Sequence, residues 1–352
     1  MPRISIAMST YNGEKFLREQ LDSLAAQTCL PLELVVGDDR STDNTVAILE
    51  SFAATAPFPV SISVNEKNLG FADNFLATAS RCKGDWVAFC DQDDVWLPNR
   101  IADAASEVER GDEDLMLVVQ AAELVDASLN KTGRRLPDIR RRRIVPPNGH
   151  YGFWQIAGFS QTVRSKLLSE FDWSNRPISE HPCFRWQPHD KWACMLANAL
   201  GKTAYLPQVA ALYRRHESTV TGDYERQSLT NKIATASTAG EDQYRFLQRV
   251  AHESRDTLLR LSEATTDATM KRRLVNGAEA YNRLAIIQLA RADIHGCQSL
   301  GKRLSKLAGN IKSGVYFGSP FTARGLSSLA KDISVALGKS RVPSENASQT
   351  CD

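Results

Sequence analysis

Several protein classes are excluded by what this chain does not contain. Its seven cysteines are Cys29, Cys82, Cys90, Cys183, Cys194, Cys297 and Cys351; they include no CxxC pair and are odd in number. That argues against a disulfide framework or a zinc ribbon and for a reducing compartment. No run of ~18 consecutive apolar residues occurs, so no membrane-spanning helix is expected. The opening MPRISIAMSTYNG turns polar after only a few apolar residues and does not read as a signal peptide, which leaves a cytoplasmic location as the expectation. Excess charge of either sign is also missing. The 43 basic residues nearly balance the 41 acidic ones, for a net charge of +2, so the bulk charge points neither to a nucleic acid nor to an acidic partner. There is no internal repeat, and no glycine-rich basic loop follows the first apolar run.

What is present is ordinary in bulk: 352 residues, 42% hydrophobic and 24% charged. Such a chain forms one large domain or two smaller ones and buries a core without covalent staples. The first hundred residues alternate between two periods. ISIAMST, LELVVGDD, VSISVN and DWVAFCDQ read as short strands. GEKFLREQLDSLAAQT, STDNTVAILESFAA and FADNFLATASRC read as helices, the second opening with a Ser or Thr cap. Strand–helix alternation predicts an α/β fold with a mostly parallel sheet and helices on both faces. Ligands in such folds sit at the carboxyl ends of the strands. Four polar clusters fall there: Ser9 to Asn12, Asp38 with Asp39, Asn65 to Asn68, and Asp91 to Asp94.

The pattern is less regular from Leu115 to Tyr213. LMLVVQAAELVD reads as a strand, and RRLPDIRRRRIVPPNGHYG as a basic, proline-containing loop. WQIAGFSQTVRSKLL reads as a strand or turn leading into a helix. PHDKWACMLANALG reads as a helix ended by Gly201, and TAYLPQVAALYRRHES as strand, turn, strand. After about residue 225 apolar residues recur at helical spacing, which predicts a C-terminal helical appendage. The expected divisions are 1–224 for a catalytic domain, 225–340 for a helical region and 341–352 for a disordered tail.

The densest chemistry is VAFCDQDDVWLP, where Asp91, Asp93 and Asp94 follow an apolar run within four residues. The cluster is either a solvated acidic turn capping the next helix or a site completed by a hard divalent cation such as Mg²⁺ or Mn²⁺. Such a cation takes one or two carboxylates plus substrate phosphates. Asp39, at the end of an apolar strand, is either a turn residue or an acceptor for a pyrimidine N3–H. Tyr11 is either a core-edge aromatic or a surface on which a base stacks.

ISIAMSTYNGEKFLREQLDSLAAQT, ELVVGDDRSTDNT, NEKNLGFADNF and GDWVAFCDQDDVWLPNRI together resemble family 2 glycosyltransferases of the GT-A fold, and DQDDVW resembles the bacterial rhamnosyltransferase-like branch. The resemblance covers residues 3–105 well and continues more thinly to about 222 through AGFSQTVRSKLL, HDKW and YRRHESTVTG. It implies that Thr10, Tyr11, Asn12 and Asp39 hold the nucleotide and that Asp91 faces the ribose or diphosphate; Asn68 and Asn74 either hold the substrate or order a loop. It implies Asp93 and His216 as metal ligands, Asp94 and Gly158 as supports, and Asp190 as general base. His189 stands where the family often has Glu. The implied activity is metal-dependent, inverting transfer of a sugar, with rhamnose the leading candidate, from a dTDP- or UDP-linked donor. The acceptor would be a polysaccharide or lipid-linked oligosaccharide of the cell envelope. Two other readings share the fold: a non-catalytic carbohydrate- or nucleotide-binding protein, and a sugar nucleotidyltransferase.

The stretch from Gly301 to Lys339 is basic, amphipathic and nearly free of acids. It reads either as helices packed on the rest of the chain or as a peripheral contact with an anionic membrane.

Overall fold

The computed structural model describes residues 2–181, 184–217, 240–322 and 325–338. The chain divides into two compact units. The first comprises Met1–Pro147, Gln155–Ser174 and Pro188–Val220; the second comprises Asn148–Trp154, Asn175–Gln187 and Thr221–Asp352. The expected boundary at 224 and the expected tail from 341 lie outside the described residues.

In the first unit four parallel strands, β1 (Ile4–Thr10), β2 (Glu33–Asp38), β3 (Val60–Val64) and β4 (Trp86–Cys90), alternate with α1 (Leu17–Ala25), α2 (Thr45–Ala53) and α3 (Phe71–Ala79). Every residue of β2 and β4 is buried, as strands covered on both faces require. Side chains alternate across the sheet. Ile4, Ile6 and Met8 join Leu17, Leu21 and Leu24 of α1 and Leu49 and Phe52 of α2 in one core. Ser9, on the opposite face, accepts a hydrogen bond from Asn74 of α3. The strands lie in the order β3-β2-β1-β4, so the chain winds outward from β1 and then returns to its other side. The crevice between the carboxyl ends of β1 and β4 is therefore the switch point at which such sheets bind ligands.

The sheet continues through β5 (Val95–Trp96), α4 (Arg100–Arg110), β6 (Leu115–Val125), β7 (Lys131–Leu136), β8 (Arg143–Val145), β9 (Gln161–Arg164), α5 (Lys166–Ser169), α6 (His189–Leu200) and β10 (Lys202–Arg214). The main path runs β3-β2-β1-β4-β9-β6-β10-β5, with β7 on β6 and β8 on β10. Three local expectations are corrected. The basic stretch from Arg134 to Gly152 is not all loop: part of β7 and the whole of β8 fall within it, paired antiparallel with β6 and β10. Lys202–Arg214 is one strand, not strand, turn, strand. Register shifts between Leu206 and Val209, and again between Val209 and Ala211, absorb Pro207, which lacks an N–H for the ladder. The start of α2 is stabilised by Asp43, whose Oδ1 accepts from Thr45 N at 3.0 Å, rather than by a Ser or Thr cap.

The second unit is built on two long helices, α7 (Glu241–Ala264) and α8 (Ala268–His295). Asp267 caps α8, accepting from the Thr269 and Met270 amides. The helices α9 (Leu300–Lys312) and α10 (Leu326–Ala336) follow, with Ile294, Leu307, Tyr316, Val335 and Ala336 forming their shared core. The two excursions from earlier in the chain are bonded in: Tyr281 donates to Gly152 O at 2.8 Å, and Arg260 donates to Asn175 O at 2.6 Å.

Candidate functional site

The loops after β1 and β2 are tied to each other by side chains. Asn12, at φ 47°, donates its amide to Ser41 Oγ and accepts from the Thr42 amide, both near 2.9 and 2.8 Å. Gly13 N donates to Thr45 Oγ1, and Glu14 accepts from the Asn44 amide. Thr10 points inward and donates to Asp38 Oδ2 at 2.8 Å; Asp38 also accepts from the amide and hydroxyl of Ser41. This leaves the Tyr11 ring projecting from a stiff loop, 51% exposed.

Asp39 is buried, and its carboxylate organises the loop after β3. Oδ1 accepts from Asn65 Nδ2 at 2.9 Å and Leu69 N at 2.7 Å, and Oδ2 accepts from Gly70 N at 2.8 Å. Asn68 donates to Asp39 O at 3.2 Å. Asn74 joins the group, donating to Ser9 Oγ and Gly37 O, both at 2.7 Å. Tyr11, Asp39 and Asn68 thus belong to neighbouring loops at the carboxyl edge of the sheet.

The switch point itself is bridged by Gln92. Its Oε1 accepts from Tyr11 N at 2.8 Å and its Nε2 donates to Tyr11 O at 3.0 Å, imitating a strand partner. The bridge needs Gly13, because a Cβ there would meet Gln92 Oε1 at 2.4 Å.

Beyond β4 the three aspartates occupy different environments. Asp94 is fully buried; it accepts from Arg214 N at 3.0 Å, and burial followed by the charges of Asp93 and Asp91 pushes its carboxyl well up. Burial, then Asp93, then Asp190, raises Asp91 to about 7. Asp93 Oδ2 lies 2.7 Å from His216 Nε2. The Arg100 guanidinium, buried against the Trp96 ring at 3.8 Å, contributes positive charge to the cluster. Arg214 holds these pieces together. Its Nε donates to Asp93 O and its Nη1 to Ala127 O, each at 2.7 Å, while its Nη2 pairs with Glu19.

Asp190 lies in the first turn of α6, where the helix dipole favours a carboxylate. It is nearly buried. Gln155 Nε2 donates to both of its oxygens, at 3.3 and 3.1 Å, and its own Oδ1 accepts from Lys191 N at 2.7 Å. Burial outweighs these bonds and raises its carboxyl to about 6. The preceding His189 stacks on Phe75 at 4.1 Å and meets Phe89 edge-on at 4.8 Å. Gly158 leaves room for that ring, since a Cβ there would approach His189 Nε2 to 2.5 Å.

The residues singled out from sequence therefore form three groups: the loops of Thr10, Tyr11, Asn12, Asp39 and Asn68; the acidic end of β4 with His216; and Asp190 with Gly158 close to its helix. Sequence reasoning missed Gln92, Gln155 and Arg214. Gln92 lies inside the quoted DQDD and Arg214 beside His216, so position alone could have flagged both. Gln155 had no signal, because its partner is 35 residues away.

Residues 5–168 match the model of the family described as "Glycosyl transferase family 2". An uncharacterised protein of Mycobacterium tuberculosis is 27% identical over 215 residues, which are 60% of this chain and 59% of that protein. The dTDP-rhamnosyl transferase RfbG of Shigella flexneri is 37% identical over 102 residues, 28% of this chain and 35% of its own length. These matches thus span from about a third to under two thirds of the relatives' lengths. Among solved structures, S. aureus TarS 1-349 in complex with UDP-GlcNAc superposes with a TM-score of 0.51 at 18% identity, covering 90% of this chain and 93% of that one. The same TarS segment alone gives a TM-score of 0.53. The fold is that of GT-A glycosyltransferases, and residues 5–168, a little under half of the chain, are similar to glycosyl transferase family 2.

Proposed function

We propose that the protein is a metal-dependent glycosyltransferase. It moves a sugar, with inversion, from a nucleoside diphosphate donor to a hydroxyl of a saccharide, polysaccharide or lipid-linked oligosaccharide. The observation that carries this reading is geometric: Asp93 Oδ2 lies 2.7 Å from His216 Nε2 just beyond β4, and the buried Asp190 carboxylate is held by Gln155 on both oxygens.

The donor set fits a hard divalent cation. A carboxylate oxygen and an imidazole nitrogen lie 2.7 Å apart, and the mutual repulsion of Asp91, Asp93 and Asp94 falls when positive charge is added. Among the described residues no group of three His, Cys, Asp or Glu side chains is placed to hold a metal alone, so donor phosphate oxygens would complete the shell. When bound, Mg²⁺ or Mn²⁺ supplies Lewis-acid stabilisation of the departing diphosphate.

The chain's own residues do the rest. Tyr11 offers an exposed ring for the nucleotide base, and Thr10 and Asn12 hold its loop. Asp39, with three protein donors already on its carboxylate, keeps one lone pair of Oδ2 for a pyrimidine N3–H. A thymine or uracil base suits that acceptor; the names of RfbG and of the TarS complex belong to a dTDP and a UDP user respectively. Asp190, ionised at neutral pH and oriented by Gln155, takes the acceptor hydroxyl proton as its oxygen bonds to the anomeric carbon. The anomeric carbon–phosphate oxygen bond breaks with its electron pair on the leaving diphosphate. Displacement from the opposite face inverts the anomeric centre.

Calorimetric titration with dTDP, UDP and GDP, with and without Mn²⁺, tests the donor half. Metal-enhanced binding of one diphosphate, lost in Asp93→Asn, is expected. Asp190→Asn should keep that binding while losing turnover of at least a hundredfold. Full turnover in Asp190→Asn would remove it as the base.

A further inference from the structure

We propose that the face formed by α9, α10 and Phe317 on the turn after α9 docks on an anionic membrane surface. This deepens the reading above by naming the partner of the C-terminal helices. It does not depend on the donor chemistry.

Each of the two helices carries more apolar surface than its packing uses. α9 buries Leu307, yet Leu300, Leu304, Ala308 and Ile311 are exposed, at the i, i+4, i+8, i+11 spacing of one stripe. α10 buries Asp332, Val335 and Ala336, yet Leu326, Ala330, Ile333 and Leu337 are exposed along a second stripe. Phe317, on the turn after α9, is also exposed. Of the fourteen large hydrophobic side chains that the described residues expose, seven fall between Leu300 and Leu337. Scattered exposed leucines need no explanation; this density does.

The charge on the same segment selects the occupant. From Gly296 to Arg341 the sequence has eight Lys and Arg and a single acid, Asp332. That acid is fully buried, paired with Arg291 at 2.9 Å and bonded by Tyr316 at 2.7 Å. Lys306 reaches Asp293 of α8 at 3.5 Å, and Arg303 donates to Val335 O at 2.9 Å. Lys302, Lys312 and Lys331 are exposed on these helices; Lys312, four residues from Ala308, flanks the α9 stripe, whereas Lys302, two residues from both Leu300 and Leu304, lies on the far side of that helix. A second copy of the chain would bring the basic residues of α9 and α10 together on an apolar contact. An anionic lipid surface takes both properties: apolar side chains at the headgroup boundary and lysines on the phosphates. No helix among the described residues is long and apolar enough to cross a membrane, so the contact is peripheral.

The test is cosedimentation of the full chain with vesicles of phosphatidylcholine alone or mixed with phosphatidylglycerol. Binding is expected only to the mixed vesicles. It should weaken when NaCl rises from about 0.1 to 1 M, which shortens the screening length from about 10 to 3 Å. Lys312→Gln should lower partitioning roughly fivefold, whereas Lys302→Gln, on the far side of α9, should leave it nearly unchanged. The pair Leu304→Glu and Leu337→Glu should abolish it while leaving the circular dichroism spectrum and nucleoside diphosphate binding unchanged. The proposal is overturned by folded protein that stays in the supernatant, or by equal binding to both vesicle types. A solution dimer that the Leu304→Glu, Leu337→Glu pair dissolves overturns it as well. Loss of nucleotide binding in the wild type would instead sink the donor reading and leave the vesicle result standing.

Discussion

Asp190 is held in conflict: burial raises its carboxyl to about 6, while Gln155 and the Lys191 amide pull it down. A base must be ionised to accept a proton, so kcat/KM should fall as pH drops below about 6. Removing the Gln155 donor removes a bond made to the charged form. Gln155→Leu should therefore move that acid limb upward by roughly one pH unit, given about 1.5 kcal/mol for a hydrogen bond to a charge. A pH–rate profile with an unmoved limb would show that Gln155 only packs. The same conflict appears in stability. The folded chain holds the Asp190 proton up to about 6, whereas the unfolded chain releases it near 3.8, so ionising it destabilises the fold by about 3 kcal/mol at neutral pH. Asp190→Asn should raise Tm by several degrees at pH 7, and the gain should shrink to nothing as pH falls below 4. Asp190 was singled out in HDKW only through its order after the acidic cluster, and its role as base is what the pH–rate profile tests. The position of its Gln155 partner depends on tertiary folding that no local pattern encodes.

At the scale of elements, β1 to β4 and α1 to α3 were legible because the strands are short apolar runs, the helices keep one apolar spacing, and polar residues end them; the two-residue β5 was not. Legibility failed where pairing, not period, decides the element. β8 is only Arg143–Val145, exposed and basic, and is a strand because β10 offers it a ladder. Lys202–Arg214 looked broken at Pro207 because a bulge cannot be seen without its partner strand. Two loop glycines are also explained only by their neighbours, and they separate the two halves of the site. Gly13→Ala would place a Cβ 2.4 Å from Gln92 Oε1 and force apart the Gln92–Tyr11 bridge. It should weaken nucleoside diphosphate binding about tenfold or more by calorimetry. Gly158→Ala would press on His189, whose ring is confined by Phe75 and Phe89 beside Asp190. It should lower kcat with donor affinity held within about twofold. Equal losses of donor binding in both variants would show that the two loops do not act separately.

At the scale of the molecule, the sequence predicted a C-terminal helical region, whose described helices begin at Glu241, but not that 148–154 and 175–187 belong with it. Those stretches are short and aperiodic, and their partners are distant: Gly152 packs against Leu284 and Phe321 and bonds Tyr281, 129 residues on. The second unit is instead tied together by one buried cluster. Asp332, fully buried on α10, takes two bonds from Arg291 of α8 at 2.9 Å, one from Tyr316 at 2.7 Å, and lies 3.2 Å from His295. Arg291 also donates to Tyr244 of α7 at 2.9 Å. Burial alone would raise the Asp332 carboxyl, but the bonds from His295, Arg291 and Tyr316 hold it below its ordinary range. The stability it contributes is present above the ordinary carboxylate pKa and is lost as pH falls through the lower folded value. Asp332→Asn keeps the shape and removes the charge, leaving the Arg291 guanidinium buried without a counter-charge, at a cost of about 3–5 kcal/mol. Because each unit has its own core, the loss should be local. Hydrogen exchange should speed up across α8, α9 and α10 and stay slow in β1, β2 and β4, and nucleoside diphosphate binding should remain within about twofold of wild type. Faster exchange in both units together would mean that the chain folds as a single cooperative body and that Asp332 contributes to the stability of all of it.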